Sequence, residues 1–257
     1  MITVVMTYYN RQYQLDRTLE SLESSRYKYF NVIIVDDCSP DPPIIKREYS
    51  FFIKILRTEN KRWIDGSPAY NLGFIEAIRM GSDIIVIQNA ETYHVGDVLS
   101  RAATVAMDSY ISFACFNLSR QETFVGHNIH DIINKHNYPA VNNDDNAWFN
   151  HKWVRPMGYH WCSAIRTENL IKINGFDERL ADGYCFEDDE LLARIRHLGL
   201  KIEITDHPFV VHQYHERGYV PANWKDLFFI NSKRFEMIRD LGNPVAVHRF
   251  TPDLNEI

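Results

Sequence analysis

Four carboxylates stand side by side at Glu187-Asp188-Asp189-Glu190. Acids that open a helix are stabilised by its macrodipole, which gives the run a purely structural reading. Four adjacent like charges also repel one another, and a general base needs a carboxylate held at a fixed depth, which a helix start supplies. Proton abstraction is the chemistry the run favours. A further acid, Glu91, closes Gln88-Asn89-Ala90-Glu91 directly after an apolar run. A carboxylate there can hold a hard divalent cation that bridges phosphates; alone, it reads equally as a capped strand end. His212 and His215 lie in Val211-His212-Gln213-Tyr214-His215. On a strand they point to opposite sides, so only one of them is expected to join a metal held by Glu91.

Two polar clusters follow apolar runs near the N-terminus: Thr7-Tyr8-Tyr9-Asn10 and Asp36-Asp37-Cys38-Ser39. Tyr9 offers a face for stacking on a base, and Asp37 can accept from a ring N–H. Asp, Asn and Ser are also ordinary turn formers. Placed after consecutive strands, the two clusters together favour nucleotide binding. No G-x-G-x-x-G follows the first run, which disfavours a dinucleotide cofactor.

The elements that must position these groups alternate. Ile2–Met6, Val32–Val35, Phe51–Leu56 and Ile84–Ile87 read as strands buried on both faces. Leu15, Thr18, Leu19 and Leu22 form one helical stripe between them; Ala69, Leu72, Ile75, Ala77 and Ile78 form another. That alternation predicts parallel strands joined by crossovers, with ligands at the strands' carboxyl ends. Ile111–Phe116 reads as a fifth strand. Residues 120–160 carry no steady period and read as a surface excursion that faces substrate. Trp161–Ile165 is an expected strand, Thr167–Ile173 a helix capped by Thr167 and ended at Asn174-Gly175, and Glu187–His197 a helix burying Leu191, Leu192 and Ile195. A strand over Phe209–Val211 and a last helix from after Pro221 to about Leu241 complete the reading.

At 257 residues, 45% hydrophobic and 24% charged, the composition is that of an ordinary globular protein. The net charge of −6 argues against nucleic-acid binding as the main task. The four cysteines are scattered, with no C-x-x-C pair. No basic leader precedes the first strand, and no apolar run approaches the roughly 18 residues that cross a bilayer. The expectation is a cytoplasmic protein.

Taken in order, these motifs resemble the family 2 glycosyltransferases of the GT-A fold. Val4-Val5-Met6-Thr7-Tyr8-Tyr9-Asn10 resembles the family's opening strand, and Ile33-Ile34-Val35-Asp36-Asp37-Cys38-Ser39 its V-D-D-x-S. Ala69-Tyr70-Asn71-Leu72-Gly73 is similar to A-R-N-x-G, and Asn89-Ala90-Glu91 falls where the family has D-x-D. Gly175-Phe176-Asp177-Glu178, then Glu187-Asp188-Asp189-Glu190 with Arg194, resemble G-F-D-E and E-D-x-x. The resemblance covers roughly residues 1–217.

It implies an α/β GT-A fold: a Rossmann-like nucleotide-sugar-binding half (1–117) with a mostly parallel central sheet, abutting a smaller acceptor and catalytic half (118–217). A helical extension (218–257) follows. It also implies an inverting, metal-dependent transfer from a nucleotide-sugar donor, UDP-linked by analogy, to a hydroxyl of a glycan or glycoconjugate. On that resemblance Thr7, Tyr9, Asp37 and Asn71 bind the nucleotide, and Asp188 is the general base. Glu187 and Asp189 hold acceptor hydroxyls, while Glu91 and His212 bind Mn2+ or Mg2+. Asn89 and Tyr70 depart from the family pattern at the metal and diphosphate positions. Without a metal, a cationic side chain such as Arg217 or Lys225 would neutralise the diphosphate instead. Two readings compete. A nucleotidyltransferase is disfavoured, because Thr7–Tyr13 contains no glycine for a phosphate loop. A degenerate domain that binds sugar nucleotides or scaffolds a complex is supported by Asn89 and opposed by the intact Glu187-Asp188 pair. In the last helix, Trp224, Leu227, Phe228, Ile230, Phe235 and Ile238 alternate with Lys225, Lys233, Arg234 and Arg239. That pattern suits either peripheral membrane contact or packing against the catalytic domain.

Overall fold

The computed structural model describes residues 1–125, 128–136, 139, 146–216, 220–242 and 245–257. The N-terminal half alternates as its apolar runs dictate. β1 (Ile2–Tyr8), α1 (Gln12–Glu23), β2 (Phe30–Asp36), β3 (Phe52–Arg57), α2 (Ser67–Arg79) and β4 (Ile84–Asn89) follow in order. β1 pairs in parallel with both β2 and β4, and β2 pairs in parallel with β3. Alternate residues of β1 face opposite layers: Val4 and Met6 pack with Leu15 and Leu19 of α1, while Val5 packs with Phe74 and Ala77 of α2. Gly73 permits the close approach on the α2 side, since a Cβ there would collide with Val5 and press on Val35.

β3 departs from the expectation. It sits at the sheet edge, so it is not buried on both faces, and Phe52 and Ile55 are exposed. A short strand, β5 (Thr92–Val95), was not apparent in the sequence because it has only four residues. α3 (Val98–Ala102) leads into β6 (Ser109–Asn117), which is buried throughout.

The 120–160 stretch is more ordered than its lack of period suggests. It holds α4 (Arg120–Val125), α5 (Ile129–Lys135) and β7 (Ala147–Asn150), and β7 pairs antiparallel with β6. Trp148 and Ile132 join Phe116 and Phe209 in a separate apolar cluster. β8 (Cys162–Arg166) runs antiparallel to both β4 and β6. α6 (Thr167–Ile173) begins one residue earlier than its expected cap would place it: Arg166 is the N-cap, and the Thr167 N–H donates to Asp83 O (3.1 Å). Asn174, in the left-handed region, ends the helix.

α7 (Glu187–His197) and β9 (Lys201–His212) follow, and β9 pairs with β6 in parallel and with β5 antiparallel. The sheet order is β3-β2-β1-β4-β8-β6-β9-β5. α8 (Trp224–Leu241) packs on α7 and buries Asn231 and Ile238. Its Phe228 and Phe235 rings close on Phe186 at 4.9 and 5.8 Å, while Phe229, Met237 and Leu241 stay exposed. No helix among the described residues is long and apolar enough to cross a membrane. The expected boundary at 217/218 and Arg217 itself lie outside the described residues.

His94 on β5 is buried, with its Nε2–H donating to Gln88 Oε1 (2.7 Å). Burial pushes its pKa down to about 3, with Asp97 opposing. The unfolded chain takes up this proton near pH 6.5 and the native one only near pH 3, so stability falls as pH drops through that window. The loss should approach ~1.4 kcal/mol per pH unit. Urea unfolding of wild type and His94→Phe between pH 6.5 and 4 checks this: the variant should show a shallower loss.

Candidate functional site

The carboxyl ends of β1 and β2 open onto a first cleft of about 490 Å3, lined by Thr7, Tyr9, Asp37, Lys61 and Trp63 among others. The two adjacent aspartates have separate tasks. Asp36 turns inward, accepting from the Ser39 N–H (2.9 Å) and pairing with Arg57, as a turn former does. Asp37 faces the cleft although only 4% exposed. Its carboxylate accepts from Trp63 Nε1–H (2.8 Å) and pairs with Lys61, whose ammonium also lies 5.3 Å from the Tyr9 ring centroid. Tyr9, Asp37, Lys61 and Trp63 therefore form one polar, aromatic wall.

A second cleft of about 400 Å3 adjoins the first and shares Thr7, Arg11 and Gly66 with it. At its floor lies Glu91, 1% exposed, in the turn between β4 and β5. Its Oε1 stands 3.5 Å from His212 Nε2 and 3.6 Å from His215 Nε2, and one ligand atom from each of the three residues lies within 4.8 Å of the others. The expectation that the two histidines diverge is corrected here: β9 ends at His212, so period-two alternation no longer governs His215. His212 Nδ1 lies 2.9 Å from Asn117 Oδ1, and His215 Nδ1 lies 2.9 Å from Glu216 O. With Nδ1 directed at these oxygens, each Nε2 faces Glu91: protonated, it offsets the carboxylate; deprotonated, it presents a lone pair in the orientation metal-binding histidines adopt. Burial alone would raise the Glu91 pKa, but Arg11 (NH1 to Oε2, 2.7 Å), His212 and His215 outweigh it and hold the carboxyl well below its usual range. Burial lowers His215 to about 4, against the pull of Glu91. One carboxylate and two imidazoles form a donor set that suits a borderline divalent cation.

Asn89 does not join this set. Its Oδ1 accepts from Tyr70 O–H (2.8 Å) and its Nδ2 donates to Glu91 Oε1 (3.2 Å). Tyr70 and Asn89, the two departures from the family pattern, are thus bonded to each other.

The four acids of α7 are dispersed among different partners. Glu187 and Asp188 line the second cleft. Burial, then the charges of Asp65 and Asp188, push Glu187 well above its usual range. Asp188 Oδ1 lies 2.5 Å from His160 Nδ1. Asp189 is turned away to accept from Tyr159 O–H (2.6 Å) and does not line the cleft. Glu190 is buried in a two-pronged pair with Arg194 (2.6 Å for each contact), whose NH1 donates to Ile173 O and Gly175 O. Cys185 and Phe186, directly before α7, both have positive φ (64° and 79°), a strained approach for non-glycine residues. Asn231 of α8 braces it, donating from Nδ2 to Leu180 O and Cys185 O.

Asn71 is placed away from both clefts. It is fully buried, donating to Phe176 O (2.9 Å) and Glu178 Oε1 (3.0 Å) and accepting from the Phe176 N–H (2.8 Å). Glu178 in turn accepts from the Arg249 and Phe250 N–H groups, fastening the C-terminal segment. Of the residues expected at the site, Thr7, Tyr9, Asp37, Glu91, Glu187 and Asp188 line the clefts, and His212 joins Glu91. Arg11, Lys61, Trp63, Asp65 and His160 belong to the same walls and were not apparent in the sequence. Each is a single residue without a local pattern.

This arrangement has counterparts among known proteins. The glycosyl transferase family 2 profile matches residues 3–173, and the chain belongs to that family. A profile described as the N-terminal domain of galactosyltransferase matches residues 155–216. An uncharacterized glycosyltransferase of Haemophilus influenzae is 36% identical over 62 residues, which is 24% of this chain and 21% of that protein. The 1–349 fragment of S. aureus TarS is similar in fold, with TM-score 0.60 and 14% identity over 92% of this chain and 64% of that one. So is the mannosyltransferase PcManGT from Pyrobaculum calidifontis, solved with GDP-Man and Mn2+, with TM-score 0.53 and 15% identity over 93% of this chain and 62% of that one. The architecture is the mixed α/β GT-A fold that these structures share.

Asn71→Ala should behave as a core defect. Losing its bonds strands the Phe176 N–H and part of Glu178, at a cost of about 1–3 kcal/mol. The urea midpoint should fall accordingly, while the affinity of the folded protein for a nucleoside diphosphate should stay unchanged by calorimetry.

Proposed function

We propose that the chain is an inverting glycosyltransferase, moving a sugar from a UDP-linked donor to a hydroxyl of a glycan or glycoconjugate. The observation that carries this reading is continuity: the Tyr9–Asp37 wall, the Glu91–His212–His215 cluster and Asp188 border two clefts that share Thr7, Arg11 and Gly66. A nucleobase fits the first, a diphosphate the junction and a sugar the second. Thr7 and Tyr9 line the base site, and Asp37, already held by Trp63 and Lys61, accepts from the ring N–H. Residues 1–117 form the donor half, 118–217 the acceptor and catalytic half, and 218–257 an extension packed on it.

In the transfer, Asp188 takes the proton of the acceptor hydroxyl as that oxygen attacks the anomeric carbon from the face opposite the leaving group. The bond from that carbon to the diphosphate oxygen breaks, its electron pair leaves with the nucleoside diphosphate, and the configuration inverts. Glu91 Oε1 and the two Nε2 atoms would hold a divalent cation, whose charge offsets that of the leaving diphosphate. Glu187 would hold an acceptor hydroxyl, whereas Asp189, bonded to Tyr159 outside the clefts, would not. A second reading, a weak or inactive sugar-nucleotide-binding module, draws on Asn89, whose amide oxygen accepts from Tyr70 and whose N–H2 donates to Glu91, so that it offers no ligand to a cation.

Asp188→Asn should keep donor affinity and remove nearly all transfer, because an amide cannot accept the proton. Transfer at most of the wild-type rate would overturn the base assignment. Imidazole ligands suit Mn2+ better than Mg2+, so Mn2+ should support transfer better. Mn2+ alone should also raise the melting temperature of wild type but not of Glu91→Ala or His215→Ala. Full activity in excess EDTA would defeat the metal and leave Arg11 to meet the diphosphate. Lys225, on α8, does not line either cleft.

A further inference from the structure

We infer that His160 is a positioning residue for the base, holding one Asp188 oxygen so that the other is presented to the acceptor. The inference rests on the proposed role of Asp188. His160 precedes β8, whereas Asp188 lies in the first turn of α7, and the two meet at the wall of the second cleft. Nδ1 of the ring stands 2.5 Å from Asp188 Oδ1, and the His160 backbone N–H donates to the same oxygen (3.4 Å). The ring is oblique to the short contact, and Nδ1 has no well-aligned partner. Misaligned catalytic hydrogen bonds of this kind tighten when substrate completes the site.

The ring itself is fixed. His160 is only 8% exposed and packs edge-on against Tyr70 (centroids 5.3 Å, 90°) and Phe176 (4.8 Å, 64°). The neighbouring residue repeats the arrangement, with Tyr159 O–H donating to Asp189 Oδ1 (2.6 Å). Tyr159 and His160 therefore grip two successive acids of α7. Such a grip is needed because α7 opens without a side-chain cap, after two residues in the left-handed region. With Oδ1 committed to His160, Oδ2 is the oxygen left for the proton. As the acceptor O–H bond breaks and Oδ2–H forms, Nδ1–H, aligned once substrate completes the site, donates to Oδ1, now the carbonyl oxygen of the acid. The chemistry needs no change of protonation at His160.

Steady-state transfer kinetics with His160→Ala, His160→Asn and His160→Ala/Asp188→Asn test this, with donor affinity measured by calorimetry. His160→Ala should lower kcat by about 10²-fold, the scale of a displaced catalytic group, with KM and donor affinity unchanged. Asn places an N–H near the position of Nδ1, so His160→Asn should recover most of the loss. In the Asp188→Asn background, removing His160 should add nothing. A wild-type kcat in His160→Ala, or a loss carried wholly by KM, would overturn the inference while leaving the Asp188 assignment intact. An active Asp188→Asn would instead overturn the assignment on which it rests. If His160→Ala fails to fold, His160→Asn decides alone: donor affinity kept with a kcat as low as that of Asp188→Asn would contradict the inference.

Discussion

A carboxylate withdrawn from water must find charge or hydrogen bonds to offset its lost hydration, and Glu91 imposes that requirement on the whole molecule. Its partners come from distant parts of the chain: Arg11 from the β1–α1 junction, and His212 and His215 from the end of β9. The backbone reinforces the same meeting point. Gln213 donates to Glu91 O from both its N–H (3.0 Å) and its side chain (3.1 Å), and β5 pairs with β9 next to it. The two halves of the sheet are therefore joined where the clefts converge. Removing Arg11 would leave the same buried charge to be offset by fewer groups.

The opposite wall solves a different problem. Four acids in one helical turn repel, and they coexist because each is directed elsewhere: Glu190 into its pair with Arg194, Asp189 to Tyr159, Asp188 to His160 and Glu187 into the cleft. The left-handed approach through Cys185 and Phe186 carries strain that Asn231 and the aromatic rings of α8 offset. The last helix thus contributes to the site without touching it. Tyr70 links the two walls, with its ring against His160 and its hydroxyl on Asn89, which in turn reaches Glu91.

Much of this order is legible in the residues. Apolar runs buried on both faces announce β1, β2 and β4, and the polar residues directly after them mark the clefts. β3 misleads because Phe52 and Ile55 are as apolar as core residues although the strand sits at an edge. β5 and β7 are four residues each, too short for a period to show. Asn71 lies within a family-like motif, yet its polar atoms serve Phe176 and Glu178. His215 escapes strand alternation only because β9 stops three residues earlier. His160, Arg11 and Asp65 are brought to the site by tertiary packing alone, which no local pattern encodes.

The central claim is that one continuous site holds a nucleoside diphosphate between Asp37 and the Glu91–His212–His215 cluster. A crystal soaked with UDP and Mn2+, with anomalous scattering recorded at the manganese edge, tests it most directly. The account predicts one strong anomalous peak within coordination distance of Glu91 and both Nε2 atoms, the diphosphate against it and the base beside Tyr9 and Asp37. A nucleotide bound with its base elsewhere, or a manganese peak away from these three residues, would contradict it.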